Sequence, residues 1–142
     1  MKIRLLLLSI IAAPLLAISA CTGVPSQASV ELSCDDFTNN HHIKKEVEVA
    51  SGGIVTVILC ENRTTGFQWP EMAQITETAV LEQTGGGGYM AAESDLLGAA
   101  GKSEWTFKAL KEGTSKVSLE YSQDWAGGLK AEWTFELTVI VK

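Results

Sequence analysis

The sequence predicts an all-β fold class, specifically an antiparallel β-sandwich of about 7–8 strands, and three observations support it. Apolar and polar residues alternate with a period of two over much of the second half of the chain, as in strands that bury one face. Thirteen glycines provide frequent turns between these runs. A length of 142 residues accommodates one such domain. Together these features are typical of an immunoglobulin-like sandwich.

The strands can be placed in chain order from local patterns. They are predicted at Lys45–Val49, Gly53–Cys60, Phe67–Trp69, Ile75–Glu82, Trp105–Ala109, Val117–Tyr121 and Trp133–Val141. The second of these is a continuous β-branched run of the kind found in a sandwich core. Trp105 and Phe107 share one strand face, as do Trp133 and Phe135, so both pairs are assigned to the core. This periodicity leaves little room for helix.

Residues 1–20 have the pattern of a secretory signal. Lys2 and Arg4 precede a nearly continuous apolar run over residues 5–18, which is short for a permanent membrane span. The run ends in ISAC, which resembles the bacterial lipobox and predicts that Cys21 is the lipidated residue. An ordinary secreted protein with a spare thiol at Cys21 is the alternative.

Lipidation would determine where the domain resides. More than one acyl chain makes membrane attachment stable, so we expect a lipid anchor in the bacterial cell envelope, with the domain in the periplasm or at the cell surface. Thr22, and not aspartate, follows the cysteine, which favours the outer membrane. Residues 21–29 are small and polar and predict a flexible tether to a domain at residues 30–142.

The other two cysteines are predicted to form a disulfide. With Cys21 lipidated, Cys34 and Cys60 remain as a pair in an oxidising compartment. A bridge between them would close a loop of 27 residues, counting both ends, and stabilise the fold by roughly 3.5 kcal/mol. Two buried thiols are the alternative, since Cys60 continues an apolar strand.

Composition argues against several classes of function. Removal of residues 1–20 leaves 9 basic against 17 acidic residues, which gives no support for nucleic acid binding. The two histidines, His41 and His42, are neighbours in a polar segment, and no cysteine or carboxylate stands at zinc-ligand spacing from them. We therefore expect no enzyme, no catalytic residue, no cofactor and no metal site.

Three segments between strands hold the functional signal. Glu61–Gly66 is polar, carries two adjacent threonines and closes on glycine, which also suits a simple hairpin connection. Gly85–Lys102 is predicted to be an unusually long loop that ends in the apolar sequence LLGAAG. In Ser122–Gly128, Trp125 is out of step with the strands, as in an interface anchor or a lid over the sandwich end.

These segments resemble the chagasin family of cysteine protease inhibitors in motif, order and spacing. The family pattern is NPTTGFxW, then LLGxGG, then a loop with RPW; here the corresponding sequences are NRTTGFQW, LLGAAG and YSQDWAGG. The resemblance covers about residues 43–142. Arg63 stands where proline is usual, Ala100 replaces a glycine, and Gln123 and Asp124 replace the Arg and Pro before the tryptophan.

The resemblance implies a monomeric, reversible, non-covalent inhibitor of papain-like cysteine proteases that occludes the active-site cleft with three loops. The implied contact residues are Asn62, Thr64, Thr65, Gly66 and Phe67 at the catalytic centre, Leu97, Gly98, Ala99, Ala100 and Gly101 along the substrate cleft, and Gln123, Asp124 and Trp125 beside the catalytic histidine. Loss of the Arg-Pro pair would lower affinity or shift selectivity. It also leaves open a lipid-anchored binding or adhesion module with a non-protease partner.

Overall fold

The computed structural model describes residues 23–142. The predicted signal and the lipidation site at Cys21 lie outside the described residues. The last three residues of the expected tether form the start of a strand, so the fold begins at Gln27 and not at residue 30. Among the described residues, no helix has the length and apolar character needed to cross a membrane.

The described chain consists of nine strands, one short helix and one 3-10 turn. The elements are β1 Gln27–Leu32, α1 Cys34–Asn39, β2 His42–Val49, β3 Ile54–Glu61, the 3-10 turn Arg63–Thr65, β4 Phe67–Gln68, β5 Gln74–Ile75, β6 Leu81–Met90, β7 Gly101–Ala109, β8 Gly113–Gln123 and β9 Trp133–Val141. All seven predicted strand regions contain strand, although β4 and β5 are only two residues long.

The strands form two sheets, which confirms the predicted sandwich. One sheet has the order β1-β3-β7-β6, and the other has the order β2-β9-β8-β4, with β5 also paired to β8. The expectation of purely antiparallel sheets is wrong at two pairs, because β1 pairs with β3, and β2 with β9, in parallel. Parallel neighbours need a crossover, and the chain makes one by passing through α1 and β2 between β1 and β3.

The core lies between the two sheets and is built from the inward residues of the alternating runs. Trp105, Phe107 and Phe135 are almost fully buried, as predicted. Trp133 is only half-buried and stacks on Tyr121 with ring centroids 4.8 Å apart. The sandwich therefore closes one of its ends with aromatic rings.

Helix α1 was not expected from the periodicity. Its N-cap is Ser33, whose side chain accepts a hydrogen bond from the Asp36 amide, while the Asp36 carboxylate accepts one from the Ser33 amide. Phe37 is fully buried and fixes the helix on the core. Cys34 and Cys60 are disulfide-bonded, with their α-carbons 5.2 Å apart, which confirms the predicted pair.

The glycine tetrad lies in a strand, so the prediction of a loop beginning at Gly85 is wrong. Residues 85–88 belong to β6, and the pairing of β6 with β7 shifts register at Gly85 and Gly88. Such β-bulges insert extra residues into a strand, and the alternation of apolar and polar side chains does not reveal them. A Cβ atom at Gly86 would lie 2.4 Å from the Glu71 carbonyl oxygen, so this position needs a glycine. The second loop is therefore confined to residues 91–100.

Candidate functional site

Three loops lie together at one end of the sandwich. We call residues 62–66 the central loop, residues 91–100 the glycine-rich loop and residues 124–132 the tryptophan loop. Strand register brings them together: Glu61 is paired with Gly101, and Phe67 with Gln123. The end of β3, the start of β7 and the end of β8 therefore meet at the same end of the sandwich, the arrangement that the resemblance implied for the three loops.

The central loop is a tight 3-10 turn held by its own side chains. Asn62 is the N-cap, and its Oδ1 accepts hydrogen bonds from the Thr64 amide at 3.2 Å and the Thr64 hydroxyl at 2.6 Å. The Thr65 hydroxyl donates to the Asn62 carbonyl at 2.6 Å. Gly66 ends the turn with φ of 78°, a left-handed conformation that favours glycine. Both threonines are exposed in fixed orientations.

Tyr121 anchors the base of this turn. Its hydroxyl accepts a hydrogen bond from the Asn62 amide at 2.9 Å and donates to the Asn62 carbonyl at 3.2 Å. Burial raises the pKa of Tyr121, so the phenol remains neutral and can serve as donor and acceptor at once. Its ring also stacks on Phe67, with centroids 5.5 Å apart. Asn62, the N-cap of the turn, is thereby fixed to β8.

The glycine-rich loop contacts the central loop and exposes its leucines to solvent. The Asn62 side-chain amide donates to the Gly98 carbonyl at 3.2 Å. Leu97 is completely exposed, at 103% of its reference area. Ala100 is exposed and Ala99 half-buried, whereas Gly101 is buried in β7. Of the predicted contact segment, residues 97–101, the part accessible to a partner therefore ends at Ala100.

Trp125 connects the tryptophan loop to the central loop. Its side chain is 51% exposed, and its ring lies over Gly66, where an added Cβ would come within 2.5 Å of the ring. Gln123 belongs to β8 and uses its side-chain oxygen to accept a hydrogen bond from the Leu129 amide at 2.9 Å. Asp124 is exposed. Trp125 therefore both packs on the central loop and offers a free aromatic face.

The ion pair between Arg63 and Glu61 at the central loop was not predicted from the sequence. The Arg63 Nε donates to Glu61 at 3.0 Å, and the Glu61 side chain is only 1% exposed. The Arg63 guanidinium also lies 4.2 Å from the centroid of the Tyr89 ring. The available signal was an acidic residue at the end of an apolar strand, two positions before an arginine.

The two histidines lie near the tryptophan loop, and each contacts one polar side chain. His41 Nδ1 is 3.6 Å from a Glu132 oxygen, and His42 Nδ1 is 3.0 Å from the Thr134 hydroxyl. Within residues 23–142, no group of three His, Cys, Asp or Glu side chains could hold a metal ion. What the loops present instead is an exposed ridge of threonine, leucine and tryptophan, which suits contact with another protein.

Comparisons with known proteins agree with this geometry. The cysteine protease inhibitor EhICP2 from Entamoeba histolytica is 19% identical, with a TM-score of 0.63 over 83% of this chain and 99% of that chain. PbICP-C, solved in complex with falcipain-2, is 16% identical, with a TM-score of 0.54 over 81% of this chain and 99% of that chain. These likenesses show the fold. No curated protein matches the sequence.

Family membership comes from the sequence itself. The family described as "Chagasin family peptidase inhibitor I42" matches residues 48–139, which is more than half of the chain and includes all three loops. The members of this family are inhibitors and not enzymes, in line with the prediction from composition. The chain belongs to the chagasin family of peptidase inhibitors.

Proposed function

We propose that this protein inhibits papain-like cysteine proteases reversibly and without a covalent bond, by filling the active-site cleft with its three loops. The observation that carries the proposal is the linkage of the three loops into one surface. Asn62 connects the central loop to Gly98, and Gly66 supports the ring of Trp125. The family membership and the fold shared with two cysteine protease inhibitors support the same conclusion.

The chemistry of the ridge suits steric occlusion. The hydroxyls of Thr64 and Thr65 are bound to Asn62, so they expose compact side chains that do not need to be ordered on binding. The two loops that contact the central loop add the exposed apolar groups of Leu97 and Trp125. Protease–inhibitor interfaces commonly bury about 1,600 Å² in total and concentrate their energy in such central anchors. We infer that the central loop meets the protease's catalytic centre.

We further propose that the inhibitor acts as a monomer attached to the bacterial envelope through lipid on Cys21. The support comes from the ISAC sequence that ends at this residue and from the cysteine count, since Cys34 and Cys60 are paired with each other. The described fold begins at Gln27, only six positions later. Metabolic labelling with a fatty acid would test the anchor, because label should be lost in Cys21→Ser.

The inhibitory function is tested by titrating papain with the purified protein. Wild-type protein should inhibit stoichiometrically, and the double variant Thr64→Ala, Thr65→Ala should weaken inhibition by about 100-fold or more, as expected when central contacts are removed. Thr78→Ala is the matched control, because Thr78 is exposed and lies in the connection before β6, away from the three loops.

Absence of inhibition would point to the alternative. If folded wild-type protein does not inhibit papain or a cathepsin L-type enzyme at micromolar concentration, the proposal is wrong. The loops would then serve a lipid-anchored binding or adhesion module with a non-protease partner.

A further inference from the structure

A buried carboxylate lies directly beneath the central loop. Glu61 is the last residue of β3, and its side chain is 1% exposed. One carboxylate oxygen accepts a hydrogen bond from Arg63 Nε at 3.0 Å, and the other accepts one from the Ser103 hydroxyl of β7. Burying a carboxylate is costly unless it is paired and hydrogen-bonded. Within residues 23–142, Arg63 is the one basic side chain within 4.0 Å of it.

Arg63 therefore links the central loop to the sheet below. Arg63 is the first residue of the 3-10 turn. Its Nε donates to Glu61 in β3, and its guanidinium lies over the Tyr89 ring of β6. A cation above an aromatic face is attracted by the ring. One side chain thus holds the turn against two neighbouring parts of the sandwich.

The backbone at position 63 would also accept proline. Arg63 stands at the first position of the turn, where the amide hydrogen is not needed, and among the described residues its amide donates no hydrogen bond. Asn62 has φ of −117° and ψ of 92°, an extended conformation that suits the residue before a proline. The backbone itself therefore does not require an arginine here. The side-chain contacts do.

We propose that Arg63 is a positioning residue: its ion pair with the buried Glu61 holds the central loop in the conformation that docks into the protease. The pair takes the place of the constraint that a proline at position 63 would supply through its fixed φ. This inference rests on the proposed function. It separates the role of Arg63 from that of a residue that touches the protease itself.

The first test compares Glu61→Gln, Arg63→Gln and the double variant by their inhibition constants against papain. If the two residues act as one unit, each single change should raise the constant about tenfold or more, and the double change should be no worse than Arg63→Gln alone. Lys111→Gln is the matched control, since Lys111 is exposed in the turn between β7 and β8 at the opposite end. If Glu61→Gln inhibits like wild type while Arg63→Gln does not, Arg63 acts directly on the protease and the inference is wrong.

The second test is a rescue. The combination Glu61→Gln, Arg63→Pro removes the buried charge and restores rigidity by another route. It should inhibit within about threefold of wild type if position 63 serves only to hold the loop. Inhibition as weak as that of Arg63→Gln would overturn the inference. If a buried, unpaired Glu61 prevents Arg63→Gln from folding, the double variant Glu61→Gln, Arg63→Gln replaces it as the reference.

Amide hydrogen exchange of the free protein separates this inference from the proposed function. The amides of Thr64, Thr65 and Gly66 are hydrogen-bonded within the turn and should exchange about tenfold faster in Arg63→Gln. Unchanged exchange would overturn the positioning role even if wild type inhibits. Faster exchange together with a wild-type protein that does not inhibit would overturn the proposed function and leave the loop-holding role standing.

Discussion

Gly66→Ala should weaken inhibition strongly while lowering the stability of the fold only modestly. Gly66 has φ of +78°, and a Cβ atom there would lie 2.5 Å from Cη2 and 3.0 Å from Cζ3 of Trp125. The left-handed conformation costs an alanine about 1–2 kcal/mol. The clash also displaces the Trp125 ring. Carbon atoms prefer separations of about 3.5–4.0 Å, so the ring must move by roughly 1 Å or more.

Gly52→Ala isolates the backbone cost. Gly52 has nearly the same φ, +81°, and no heavy atom lies within 4 Å of its added Cβ. It lies in the turn before β3, at the opposite end of that strand from the central loop. Both variants should therefore lower the melting temperature, measured by circular dichroism, by about 3–8 °C. The Trp125 side chain is half exposed and free to swing outward, so Gly66→Ala should melt close to Gly52→Ala.

Inhibition should distinguish the two variants. Displacement of a central aromatic anchor should raise the inhibition constant of Gly66→Ala against papain by about 10–100-fold, whereas Gly52→Ala should inhibit like wild type. In a Trp125→Ala background, Gly66→Ala should add no more than about threefold, since the clash no longer exists. Equal inhibition by Gly66→Ala and Gly52→Ala, both folded, would refute the view that Gly66 positions Trp125.

Three further predictions follow from single features. Reduction of the Cys34–Cys60 disulfide, whose residues are 26 apart in sequence, should destabilise the domain by roughly 3.5 kcal/mol; a calorimetric melt that reductant leaves unchanged would contradict this. Leu97→Ser should change the free energy of unfolding by less than about 0.5 kcal/mol, because the side chain is fully exposed, yet weaken protease inhibition measurably. Hydrogen bonds from Ser33 lower the pKa of Asp36 below 3.8, so its charge stabilises the fold above that pH and the contribution is lost as the pH falls through the lowered pKa. Asp36→Asn should therefore show a shallower fall in melting temperature between about pH 5 and pH 2 than wild type, and an identical slope would contradict the assignment.

The fold was predicted best where side chains report burial. Period-two alternation located β7, β8 and β9, because each buries one face against the opposite sheet. The same pattern says nothing about the direction of a partner strand, so the parallel pairing of β1 with β3 could not be derived. Helix α1 spans six residues, fewer than two turns, and its signal was confined to Ser33 and Asp36. Glycine has no side chain to alternate, which hid the middle of β6.

The site was predicted as a set of segments but not as a set of contacts. Two adjacent threonines before a glycine, and a tryptophan out of step with its strands, made the central and tryptophan loops candidates, and the resemblance to the family motifs selected them. The placement of Trp125 on Gly66 depends on the register of β4 with β8, which no local pattern contains. The pairing of Arg63 with Glu61 was not predicted because the sequence does not reveal that the Glu61 side chain is buried at the end of β3, within 3.0 Å of the Arg63 Nε.

The central loop has a different position in this surface from the other two loops. It donates a hydrogen bond from Asn62 to Gly98 of the glycine-rich loop and supports Trp125 of the tryptophan loop, and it is itself held by Glu61 and Tyr121. A change in either outer loop removes one of these contacts, whereas a change in the central loop disturbs all of them. We therefore expect substitutions in the central loop to weaken inhibition more than substitutions in either outer loop.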